Sequence, residues 1–181
     1  MSHITPPPFK PILLKSVPAS TFEGQNSVDI VVPVFDRLVV RLSKLAYNHI
    51  GNDERILYFR IGTDIDVSGL FQYWTNNLGN SFSEGVLNAP IGKIQNNSLQ
   101  FYGVLNGFVE LSNVGGHNID VRAKTHSLTF QNMHYYFARA DYVSSFAAVP
   151  QTGNVTLTLK LESTAVFKNA GAGTGIEVWK I

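Results

Sequence analysis

Cysteine is missing from this chain altogether. That excludes disulfides, thiolate metal ligands and a cysteine nucleophile, and with them the small secreted scaffolds stapled by disulfides. A larger secreted domain stays open. Charge is the second shortage. Charged residues make up 15% of the 181 residues, against about 25% in ordinary domains. The surface must therefore be covered largely by Asn, Ser, Thr, Gln and Gly. Such a surface suits contact with other protein, or a neutral domain displayed outside the cell.

Concentrated cations are also lacking. The 14 Lys and Arg residues face 13 Asp and Glu, leaving a net charge of +1, and the first twenty residues hold only Lys10 and Lys15. Phosphate binding needs several clustered cations, so weak or no direct nucleic-acid binding is expected. No run of 18 apolar residues occurs, so no membrane-spanning helix is expected. The opening "MSHITPPPFKPILLK" lacks the charged start and long apolar stretch of a secretory leader. No G-x-S-x-G, phosphate-binding loop, H-x-H or H-E-x-x-H is present. "GAGTG" (171–175) has the glycines of a phosphate cradle without its lysine and helix. The chain reads as a non-enzyme with no cofactor.

What is there is apolar and strand-like. Hydrophobic residues reach 44%, enough at this length for one domain with a core of its own. Pro6, Pro7, Pro8, Pro11 and Pro18 crowd the first 24 residues, which excludes helix or inner strand there. The expectation is an extended arm over 1–24 and a β-sandwich domain over 25–181. In the arm, Phe9, Ile12, Leu13 and Leu14 are candidate interface residues, since a free tail seldom carries four large apolar side chains.

Strands are expected at 27–35, 37–47, 55–62, 65–74, 98–105, 107–114, 118–125, 126–132, 134–143, 154–167 and 175–181. The segment 37–47 also fits a short helix. Pro33 marks an edge, bulge or bend. In "NVTLTLKLESTAVF", Val155, Leu157, Leu159 and Leu161 point one way and Thr156, Thr158, Lys160 and Glu162 the other. Asn106-Gly107, Gly115-Gly116, 150–153 and 169–175 read as turns, and 75–97 as one long loop. The fold class is all-β: an antiparallel sandwich, jelly-roll in type, of about eight to ten strands, with an extended Pro-rich N-terminal arm.

"DIDVSG" (64–69) matches the first half of a calcium loop, with Asp64, Asp66 and Ser68 at ligand spacing and Gly69 at the turn. Position 12 of that loop falls on Thr75, which offers no bidentate carboxylate. The alternation is that of a strand, and no metal site is assigned. His126 and His134 lie on adjacent strands and could pair across a turn. Asn96 and Asn154 open glycosylation-type triplets. Tyr73, Trp74, Tyr102 and Tyr135 could form a sugar-stacking platform or belong to a core or interface.

The Pro-rich arm, the strand "VDIVVPVF" (28–35), the loops rich in Asn, Gly and Ser, the missing cysteine and the low charge together resemble the jelly-roll capsid proteins of small icosahedral RNA viruses, in particular the picorna-like viruses of invertebrates. The resemblance implies a shell or projecting subunit that assembles with copies of itself and with other capsid chains, located in the virion. A host receptor or glycan would be a further partner. Two other readings stay open: a carbohydrate-binding sandwich using surface aromatics, and a trimeric adhesion domain of the tumour necrosis factor type, secreted or at the cell surface.

Overall fold

The computed structural model describes residues 10–48, 53–62, 67–75, 81–84, 89–96, 103–114, 118–131, 134–147 and 153–181. The chain enters as β1 (Ile12–Pro18), passes a short 3-10 turn (Ala19–Thr21), and continues through β2 (Ser27–Pro33), β3 (Arg37–Tyr47) and β4 (Asp53–Ile61). Then come β5 (Val67–Thr75), β6 (Ser81–Glu84), β7 (Ala89–Asn96) and β8 (Val104–Val114). The long strands β9 (Asn118–Gln131) and β10 (His134–Ala147) precede β11 (Asn154–Leu161), β12 (Phe167–Lys168) and β13 (Gly175–Lys180).

Alternation explains most of these strands. Along β11, Val155, Leu157, Leu159 and Leu161 are buried while Thr156 and Lys160 are not. Along β9, Val121, Ala123, Thr125 and Ser127 point inward and Arg122, Lys124 and His126 outward. Along β3, Leu38, Val40 and Leu42 are buried, and the helix that the same residues would allow does not form. Two antiparallel sheets result, of nine and four strands. Their inner faces bury one continuous aliphatic and aromatic core, from Val28 and Ile30 to Ile176 and Val178. Burying one face of each sheet against the other is what stabilises such a sandwich.

The pairing is nested. β1 pairs β13, β2 pairs β11, β3 pairs β8 and β4 pairs β7, all antiparallel. Cross-links β13–β3 and β11–β4 join these ribbons into the orders β1-β13-β3-β8 and β2-β11-β4-β7. The connection between β4 and β7 carries β5 and β6, and the one between β8 and β11 carries β9 and β10. These meet where β10 pairs β5, from Ala138↔Thr75 to Phe146↔Val67, and extend the larger sheet beyond β8.

Several sequence expectations are corrected. The stretch 75–97 is not one loop but contains β6 and β7. In β7, Leu57 of β4 faces Gly92 and Tyr58 faces Pro90, so Ile91 is an extra residue. This bulge breaks the two-residue period and lets Ile91 and Ile94 both point inward, a spacing that hides a strand from a search for alternation. Asn106-Gly107 is no turn. It lies within β8, where a Cβ on Gly107 would sit 2.3 Å from the Lys124 carbonyl oxygen and 2.7 Å from Thr125 Cα. The glycine is there because the neighbouring strand comes too close for a side chain. The segments 118–125 and 126–132 are the single strand β9, and His126 faces Arg139 while His134 faces Gln131. The register thus separates the two histidines instead of pairing them.

Pro33 closes β2, an edge strand of the smaller sheet, where its missing N–H disturbs no inner ladder. The two sheets also touch through polar chemistry: the Thr125 hydroxyl of β9 donates to the Ile91 carbonyl of β7 at 2.6 Å. Among the described residues no helix is long and apolar enough to cross a membrane.

Candidate interaction surface

β1 is the outer edge of the larger sheet. Its register against β13 slips between Leu13 and Lys15, so Leu14 is the bulged residue. The consequence separates the candidate arm residues. Leu14 and Val17, three apart, pack against the core. Ile12 and Leu13 stay outside, 59% and 45% exposed. Phe9 lies outside the described residues. Bulged edge strands with a twist are a common defence against unwanted strand pairing; here the same bulge turns Leu13 to the outer face of the sheet.

Leu13 does not stand alone on that face. It is opposite Trp179, and Trp179 is opposite Val39. One residue pair further along, Glu177 is opposite Arg41 and Arg41 opposite Phe108. Four strands therefore present Leu13, Trp179, Val39 and Phe108 as an apolar strip on the outside of the sandwich, with Phe108 37% exposed. A shallow groove of about 370 Å³ runs here, lined by Val39, Arg41, Gly107, Phe108, Glu110 and Trp179.

Charge around the groove is balanced internally. The Glu177 carboxylate accepts a hydrogen bond from the Trp179 indole N–H at 3.3 Å and lies 3.6 Å from the Arg41 guanidinium. Glu177 thus fixes the orientation of the large ring. The ion pair is exposed and contributes little stability. On β9 beyond the groove, Asp120 is followed in the outward phase by Arg122 and Lys124, so the outer face carries both signs. This is a surface for apolar contact with polar edges rather than an anion-binding face.

The remaining sequence candidates fall elsewhere. Asp64, Asp66 and Tyr102 lie outside the described residues. Tyr73 and Trp74 belong to β5 and Tyr135 to β10, three and two strands beyond β8, the last strand of the groove; their side chains lie outside the described residues. Sequence reasoning missed Val39, Phe108 and Trp179. A signal existed: in "GFVELS" (107–112) and "GIEVW" (175–179), an aromatic residue occupies the outward phase that otherwise holds Glu110 and Glu177. Compared with protein-family models, curated proteins and solved structures, the chain matches none.

Proposed function

We propose that the protein is a jelly-roll shell subunit whose activity is self-assembly, as part of a viral capsid or a projection from it. The observation that carries this reading is the nested pairing β1–β13, β2–β11, β3–β8 and β4–β7. That is one long four-ribbon hairpin wrapped on itself, which is how a double-sheet jelly roll of eight strands is made, and capsid proteins are among its users. Lectin domains share the architecture, so fold alone does not choose between them.

Two further features favour assembly. The surface is short of charge, and apolar side chains lie exposed where β1 borders the outer face. Both suit a surface that is covered by protein in use. The insertions carrying β5, β6, β9 and β10 widen one sheet and give it more area for lateral contact. Partners on this reading are copies of the chain and other shell chains, held by apolar burial and edge contacts. Localisation in the virion follows from the same reading.

The test is the native size. Negative-stain electron microscopy and light scattering of the purified chain should show closed particles tens of nanometres across or symmetric oligomers leading to them. A stable monomer of 20.0 kDa across concentration and salt would sink the proposal. A glycan array with specific binding by that monomer would transfer the surface to sugar recognition.

A further inference from the structure

We infer that β2 is a self-association edge: it pairs antiparallel with β2 of a second copy, centred on Ile30, and joins two four-stranded sheets into one. Such a pair specifies how copies of the chain meet and needs no shell, since a two-fold dimer that assembles no further would contain it.

β2 differs from the other sheet edges. The larger sheet ends at β1 and β6, the smaller at β2 and β7. β1 is bulged at Leu14, β7 is bulged at Ile91, and β6 has only four residues. Bulges and short length keep edges from pairing. β2 has seven residues in unbroken register with β11.

Its hydrogen-bonding phase is fixed at both ends. The Leu161 N–H donates to the Asn26 carbonyl at 3.0 Å, and the Val34 N–H donates to the Gly153 carbonyl at 3.1 Å. Bonded and non-bonded positions alternate along an antiparallel ladder. The even-numbered residues from Asn26 to Val34 therefore turn their backbone groups to β11. The N–H and C=O of Ser27, Asp29 and Val31 face the open side, with the C=O of Pro33. Among the described residues no hydrogen bond takes these groups up. The side chains agree. Val31 is apolar and 47% exposed at this rim. Asp29, whose charge would repel a second edge, is drawn back onto its own sheet by the Thr158 hydroxyl, which donates to it at 2.6 Å.

The centre of the pair follows from matching the open positions. Centred on Asp29, two carboxylates would stand directly opposite each other, which is destabilising. Centred on Val31, Ser27 would overhang without a partner. Centred on Ile30, Asp29 of each copy faces Val31 of the other and Ser27 faces Pro33, so every open N–H meets an open C=O. Main-chain bonds give strand addition its affinity, and the contact is self-complementary, as a two-fold axis requires.

The chain has no cysteine, so introduced thiols report the contact directly. In this register Asp29 and Val31 of different copies lie about 5.5 Å apart at Cα, within disulfide reach. Val31 lies about 7–8 Å from Val31 of the second copy, beyond that reach. Asp29→Cys mixed with Val31→Cys should on mild oxidation give a mixed disulfide dimer at least about fivefold above the self-linked dimer of either. Val31→Pro deletes an N–H that the chain's own sheet does not use, and sedimentation should show its dimer weakened about tenfold. Val31→Lys, at the same outward position, should act likewise and replaces the proline variant if that fails to fold by circular dichroism. Dimers or particles that the substitutions at Val31 do not weaken overturn the edge contact and leave the shell reading standing. Mixed disulfides no more abundant than self-linked ones overturn it too. A wild-type monomer at every concentration overturns both, while a β2-linked dimer that grows no further upholds the contact and counts against the shell.

Discussion

The backbone N–H of Lys44 donates to the side-chain oxygen of Asn106 at 2.9 Å. Both residues sit at the irregularity where Leu42 faces Gly107 but Leu45 faces Leu105, and Lys44 takes a left-handed φ of 51°. The bulge bends β3. Its first part pairs β13, and beyond the bend Ala46 and Tyr47 pair β12. An N–H left without a ladder partner at the bend is satisfied by a side chain of the neighbouring strand. Asn106→Ala should therefore lower stability by about 1 kcal/mol, while Asn106→Asp, which keeps an acceptor, should lie near wild type. Urea denaturation of both variants checks this, and equal losses would show that the acceptor is not what matters.

Next along β8, Gly107 has the Lys124 carbonyl where a Cβ would go, 2.3 Å away. The obstacle is backbone, which cannot swing aside like a side chain. Gly107→Ala should cost about 3 kcal/mol or more through forced separation of β8 and β9. The same substitution at Gly92 should cost less. There the close atoms are the Leu105 Cδ1 methyl at 2.5 Å and the Thr125 Oγ1 at 2.7 Å, both on side chains, so the strain falls on side chains rather than on the backbone ladder. Midpoints in urea that rank the two the other way would contradict this account.

Asn26 ties the segment after β1 to the turn after β11. Its carboxamide nitrogen lies 3.1 Å from the Leu161 carbonyl, 3.1 Å from that of Ser163 and 2.6 Å from that of Ala165. The turn contains Ser163 at a left-handed φ of 56°, so it relies on an outside donor. Asn26→Ala should cost about 1–3 kcal/mol. Asn26→Asp should be worse, because a carboxylate then faces three carbonyl oxygens. Thermal melts that leave Asn26→Asp as stable as Asn26→Ala would remove the electrostatic part of the explanation.

The fold moves the titration of Tyr58 on β4. Burial raises its pKa above the usual value of 10.0, with the nearby Glu162 carboxylate acting in the same direction. The folded state then holds the phenol proton more tightly than the unfolded chain does. Its stabilising effect is fully present below about pH 10 and is lost as pH rises through the folded pKa. Tyr58→Phe should flatten this alkaline fall in stability without changing stability near neutral pH by the same route. Denaturation midpoints between pH 8 and 11.5 for both proteins provide the check; parallel curves would place the alkaline sensitivity elsewhere.

How much of this was legible in the sequence differs by element. Strands with unbroken alternation, such as β11 with Val155, Leu157, Leu159 and Leu161, are written in the order of residues, because burial on one face of a pleated strand has a period of two. The bulged edge strands β1 and β7 are not. Leu14 and Val17 in β1, and Ile91 and Ile94 in β7, follow a spacing of three created by bulges, and no local signal separates this from loop. Asn106-Gly107 misleads for a related reason. The pair favours a turn in isolation, yet here Gly107 answers the close approach of β9, a strand more than ten residues further along.

The sequence by itself determined the class: a cysteine-free, weakly charged chain whose apolar residues alternate can bury them only in packed sheets. It also marked Phe9, Ile12, Leu13 and Leu14 as candidate interface residues, without separating those that face outward from those that pack on the core. Only the tertiary structure decided the nesting of the four ribbons and the surface they create. Leu13, Val39, Phe108 and Trp179 are far apart in the chain, and hydrophobicity has no direction along a sequence. They become one strip because strand pairing sets β1, β13, β3 and β8 side by side, and because the bulge at Leu14 fixes which face Leu13 takes.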